Sequence, residues 1–226
     1  MGKRQESRDR IERQIVELGR EQLVTEGAAG LSLRAIARDL GMVSSAVYRY
    51  VASRDDLLTL LLVDAYTELA DSVEAARDDC AGSWRDRLVA MARAARAWAV
   101  RHPARWSLLY GSPVPGYHAP RNRTVDPGTR VVGALFGVIA DGITAGDVDT
   151  SELVVPQHLS SDFDGLRDEF DFPGGDGVVG GCLTLWAGLV GAISLEVFGQ
   201  YGPDTFVDPA PVFDMQVAML TDMLCR

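Results

Sequence analysis

Apolar residues recur three to five positions apart along most of this chain, with charged residues between them. That is the spacing of helices with one buried face. Ile11, Ile15, Leu18 and Leu23 predict a first helix over 8–26, stopped by Gly27. GAAG then reads as a loop. Ser32 reads as the N-cap of a short helix, LRAIARDL, because its hydroxyl can accept from an orphan backbone N–H. Gly41 ends that helix. A second short helix is predicted over 44–51, ASRDD is a turn and cap, and a long helix follows over 54–79. Further helices are predicted over 83–101 and from HPARWSLLYG, where Pro103 is tolerated in a first turn. GSPVPGYHAPRN is a proline-rich loop and 127–145 an apolar helix. Residues 147–177 read as short helices and acidic turns, and 178–200 and 209–225 as the last helices. With no alternating strand pattern and no internal repeat, the fold class is all-α.

Residues 33–51 have the form of a helix–turn–helix, two short helices crossing steeply over a tight turn. Ile36, Leu40, Met42 and Val47 form the predicted seam, Ala37 is small where the helices cross, and Gly41 accommodates positive φ at the turn. Burying this seam leaves Ser44, Ser45, Ala46, Tyr48, Arg49 and Tyr50 on the outer surface. Hydroxyls bond phosphates. Arginine reads guanine through two bonds, with about 1–3 kcal/mol of discrimination, and Ala46 suits a thymine methyl. The start of the second helix adds partial positive charge. Ser32, Arg34 and Arg54 are further candidates for DNA contact, with Lys3, Arg4, Arg8 and Arg10 as additional phosphate partners.

Composition complicates this picture before it supports it. The 226 residues carry a formal net charge of −10 and a pI near 4.7, an odd balance for a protein that holds a polyanion. The charge is uneven: residues 1–60 sum to +1 and residues 61–226 to −11. A near-neutral head can gather its basic groups on one face while the body stays acidic. Cys80, Cys182 and Cys225 form no CxxC pair, and the N-terminus is charged with no apolar run behind it. A reducing cytoplasm is the expected location.

The segment from Gly27 through SLRAIARDLG to MVSSAVYRYVASRDDLL resembles the N-terminal domain of TetR-type transcriptional regulators, over roughly residues 11–60. The resemblance makes Ser44 to Tyr50 the recognition helix. It places Tyr48 at the family's phosphate-binding tyrosine and Arg54 at its usual lysine. Three departures bear on base reading: Val43 stands where a capping Ser is frequent, which moves the cap to Ser44, Tyr50 replaces a frequent His, and Ala52 a frequent Pro. LLYGSPVPGYHAP and WAGLVGAISLEVFG are similar to the C-terminal domain named for a Trp-His-Gly motif, although Trp186-Ala187-Gly188 lacks the central His. The resemblance implies a DNA-binding domain over 1–53 and a helical effector-binding and dimerisation domain over 54–226. It implies a homodimeric, ligand-responsive regulator, most often a repressor, on a palindromic operator.

Several features invite other readings. Gly175 to Gly180 satisfies GxGxxG, but no strand precedes it as a dinucleotide fingerprint requires, so it reads as the glycine-rich start of a helix. Gly177–Leu195 is uncharged and long enough to span a bilayer. Its small residues Gly180, Thr184, Gly188 and Ala192, four apart, instead predict close helix packing at a dimer interface, joined by Met215 and Met219 of the last helix in a four-helix bundle. His102, His118 and His158 lie in no HExxH pattern and there is no GxSxG elbow, so the chain reads as a non-enzyme without metal or cofactor. Trp98, Trp106, Tyr110, Tyr117, Phe136 and Trp186 are candidates to line an effector pocket, and the acidic body favours a neutral or cationic ligand. The competing possibility is an all-helical small-molecule binder or enzyme with a vestigial head.

Overall fold

The computed structural model describes residues 3–151 and 155–225, with side chains from Gln5 onward. The helices are α1 (Lys3–Glu26), α2 (Leu33–Asp39), α3 (Ser44–Val47), α4 (Arg54–Asp78), α5 (Trp84–Arg101), α6 (Pro103–Tyr110), α7 (Arg121–Ala145), α8 (Gln157–Phe170), α9 (Asp176–Val197) and α10 (Ala210–Asp222). Short 3-10 turns cover Ala28–Gly30 and Met223–Cys225. No strand occurs among the described residues. Contacts divide the chain into two compact units, residues 1–68 with 102–128, and residues 69–101 with 129–226. The division falls inside α4 and α7 rather than after residue 53, so the first unit holds more than the helix–turn–helix.

The first unit is organised around Ile15, Leu23, Ile36, Val47, Leu57 and Leu61, all buried. Leu40 and Met42 of the expected seam pack against this core while partly exposed. Local chemistry fixes several of the helix ends. Gly27 leaves α1 at φ +68° and Gly41 leaves α2 at φ +65°, where a Cβ would be strained. The Ser32 hydroxyl accepts from the Ala35 N–H at 3.3 Å, and the Gln22 side chain accepts from the Ser32 N–H at 2.9 Å. At the start of α4, Ser53 accepts from the Asp56 N–H and Asp56 accepts from the Ala52 N–H, a reciprocal cap.

In the second unit α9 packs against α5 and α10. Trp98, Phe136, Ile139, Val179, Cys182 and Phe213 lie in its core. Burial pushes the Cys182 thiol up to about 12. The segment expected to be short helices and turns contains the 14-residue α8, which buries Phe163 and ends at Asp171 with φ 48°. Phe170 and Phe172 then stack on Phe136, with ring centroids 5.0 and 4.8 Å apart. Their packing holds together a segment whose polarity alone argues for loops. α7 begins six residues earlier than its apolar pattern suggests and carries Pro127 within it. Its first turn is held in the first unit by buried Thr124 and by an Arg123–Asp56 ion pair at 2.9 Å.

Candidate functional site

Val47 is completely buried and orients α3, so its neighbours Ser44 and Ser45 face solvent and Ala46 is half-buried. The helix is a single turn, not the eight residues expected. Tyr48, Arg49 and Tyr50 lie in the turn after it, held by backbone bonds from Arg49 N–H to Ala46 and from Tyr50 N–H to Val47. The dipole of so short a helix adds little. Tyr48 is 45% exposed and Arg49 and Arg34 are exposed, a face of hydroxyls and guanidinium groups. Arg8 and Arg10 are exposed on α1, and Arg8 pairs with Glu12 at 2.7 Å. The side chains of Lys3 and Arg4 lie outside those described.

One expectation changes here, and two candidate residues gain partners within the chain. The cap does not move to Ser44: Val43 is the N-cap residue and makes no side-chain cap bond, while Ser44 is already inside the helix. Tyr50 is half-buried against the core, with the Arg8 guanidinium 5.6 Å from its ring centroid, so it is a packing residue first. Arg54 Nη2 donates to the carbonyls of Ala28 and Ala29, at 2.8 and 3.2 Å, tying the 3-10 turn after α1 to the start of α4. Ser32 likewise has its oxygen engaged as a cap, although its proton remains available to an acceptor.

Sequence reasoning missed an ionic cluster in the same unit. Arg20 of α1 donates to Asp64 of α4 at 2.6 and 2.9 Å, and buried Arg105 of α6 donates to Asp64 and Glu68 at 3.0 and 2.9 Å. The hydrogen bond to Asp64, ahead of the nearby carboxylate charges, raises the Arg20 pKa. The cluster sets α6 and α1 on α4 with charge-assisted bonds rather than apolar contact alone. Its one sequence signal is Arg105 within the apolar PARWSLLY.

The six aromatic candidates divide between the units. In the first, Trp106 is buried and stacks on Tyr110 at 4.4 Å, Tyr66 meets Tyr110 edge-on at 6.4 Å, and the Tyr117 hydroxyl lies 2.9 Å from Thr59. Burial pushes the Tyr110 phenol well above its usual value. In the second, Trp98 and Phe136 are core residues and Trp186 is half-buried. Trp98, Trp106 and Phe136 are therefore packed as core. Tyr66 and Thr59, which sequence reasoning passed over, join Tyr110 and Tyr117 in a polar-tipped aromatic group.

The small-residue stripe of α9 also separates. A Cβ on Gly188 would lie 2.7 Å from Leu220 of the same chain, and Ala192 is buried. Gly188 therefore serves packing of α10 onto α9 within the protomer. Gly180 has open space beside it and Thr184 is exposed. Gly188, Ala192, Leu195 and Met219 border a groove of about 390 Å³. Met215 and Met219 are 55% and 65% exposed, and Leu183 and Met223 extend this apolar surface. α7 and α9 are both long and apolar enough to cross a membrane by length and composition, yet each supplies core residues to the second unit.

Comparison with known proteins accounts for this arrangement. Residues 15–61 match the model of bacterial regulatory proteins of the tetR family, and residues 88–220 match that of the tetracyclin repressor-like C-terminal domain. HTH-type transcriptional regulators of Mycobacterium tuberculosis and Mycobacterium bovis are each 65% identical over 227 residues, covering 100% of this chain and 97% of theirs. The crystal structure of the regulatory protein SCO4313 superposes with a TM-score of 0.78 at 33% identity, covering 98% of this chain and 100% of that one. With a helix–turn–helix head, a helical C-terminal region and relatives matched end to end, this chain belongs to the TetR family of transcriptional regulators.

Proposed function

We propose that the protein is a homodimeric repressor that binds a palindromic operator through α3 and the turn after it, and leaves it when a small molecule binds the helical body. The observation that carries this reading is the outward face of residues 44–49. Val47 is wholly buried beneath it, while the Ser44 and Ser45 hydroxyls, Tyr48 and Arg49 point away from the core. Tyr48 bonds a phosphate, Arg49 and the serines face base edges, and Arg34 supplies a further phosphate contact. Two such heads, one per protomer, occupy major grooves about 34–36 Å apart or at a wider spacing.

The exposed apolar surface of α9 and α10 supports the dimer, because a helix pair in water gains by covering such a stripe. The Tyr66–Tyr110–Tyr117 group with Thr59 supports a ligand site that combines apolar walls with a few hydroxyls. Regulation requires a ligand that prefers one arrangement of the chain over another, since equal affinity shifts nothing. The decisive experiment is a mobility-shift assay on DNA flanking the gene. Specific binding that weakens steeply with salt, and that Tyr48→Ala removes while the dimer persists, is the expected result. A folded dimer that retards no fragment specifically would refute the reading.

A further inference from the structure

We propose that Val43 reads a thymine 5-methyl group and so fixes one base position in each half-site of the operator. The inference rests on the reading of residues 44–49 as the DNA-contacting surface and extends that surface to Val43. Val43 is 72% exposed, although it adjoins Met42, which packs against the core of the head. It has extended backbone (φ −68°, ψ 141°) as the N-cap of α3 and makes no side-chain cap bond. Ser, Thr, Asp and Asn all stabilise a helix at this position, and Val is among the poorest choices. Neither capping nor burial explains a branched apolar side chain here. A local rule broken without structural compensation marks a position held for function.

The chemistry of the surroundings says which function. Ser44 and Ser45, which follow it in the chain, and Arg49 are exposed and offer hydrogen bonds only. In the major groove an A·T pair presents, besides its donors and acceptors, the thymine methyl, which only an apolar group recognises. Val43 supplies an exposed branched apolar group on this face, and Ala46 is partly covered. Covering one methyl is worth about a fourfold change in affinity, or about fifteenfold when both half-sites contribute.

The test uses the full-length protein and a duplex it selects from a random-sequence library. Each thymine is replaced in turn by deoxyuridine, which removes the methyl and keeps the base edge. At one position per half-site the wild-type protein is expected to lose about fourfold for one replacement and about fifteenfold for both. Val43→Ser should bind thymine and uracil duplexes equally, with a melting temperature no lower than wild type, and Val43→Ile should keep the preference. A Val43→Ser protein that retains the full preference for thymine overturns the proposal, as does a scan in which no methyl matters. Failure to enrich any duplex removes the DNA-contacting reading itself, and this inference with it.

Discussion

α10 carries two apolar stripes where packing within a protomer needs one. Phe213 and Val217, continued by the buried Thr221, form the inner stripe, and Met215 and Met219, continued by Met223 of the following 3-10 turn, repeat at the same interval on another side. Replacing both Met215 and Met219 by Glu tests what the second stripe is for. Burying a whole methionine side chain is worth about 1.5–3 kcal/mol relative to leaving it in water. With 55% and 65% of these residues still exposed, roughly 1–2 kcal/mol per side chain remains to be gained from a partner. A twofold seam uses each residue twice, so four side chains contribute about 4–8 kcal/mol, or about three to six decades in the dissociation constant. Four glutamates brought together in an already acidic chain add repulsion. Sedimentation velocity near 10 µM should show a dimer for the wild-type protein and a monomer for the double variant. Because both side chains are largely in water in the protomer, helicity should change little, while the unfolding midpoint should fall through the loss of dimer linkage. A double variant that stays dimeric at that concentration would refute the assignment of this surface as the seam.

Two other tests address packing and charge. In α7, Gly142→Ala places a Cβ 2.8 Å from the Trp84 ring, an overpacking cost of about 1–3 kcal/mol against a helix gain of about 1. Gly137→Ala on the same helix meets nothing within 4 Å. Thermal melts should therefore show loss for the first and gain for the second, and equal signs would contradict the packing. The hydrogen bond from Arg93 holds the Asp214 carboxylate below its usual range. Its folded value lies below its unfolded one, so the pair stabilises above about pH 4 and ceases to do so as pH falls through the folded value. The small deficit of Arg93→Gln at pH 7 should close on acidification, and a deficit unchanged at pH 3 would exclude the pair as its cause.

Much of the architecture was legible because periodicity and caps act locally. Ser32, Gly27 and Gly41 mark helix ends by side-chain chemistry and φ alone, and the structure uses them so. What spacing cannot reveal is which neighbour answers a residue. Gly188 belongs to a stripe of small residues, but only the fold shows that Leu220 of the same chain fills its space. Arg54 stands at a position implying phosphate contact, but its guanidinium meets two carbonyls more than twenty residues away. Tyr50 turns inward for the same kind of reason, a partner in α1. α8 eluded pattern reading because its fourteen residues bury a single side chain, Phe163, and lean on aromatic packing after its end.

On the function proposed above, the supports of the head lie behind its reading surface. Gln22 holds Ser32, Arg54 holds the 3-10 turn after α1, Ser53 and Asp56 cap α4, and Val47 anchors α3. Val43, Ser44, Ser45 and Arg49, by contrast, are exposed and bury little. Surface substitutions of this kind usually change stability by less than about 0.5 kcal/mol. Divergence after gene duplication can thus explore these positions almost freely, acquiring a new target sequence in a few steps while each intermediate stays folded. The same separation makes these four positions the first to vary in engineered regulators, with the scaffold left alone.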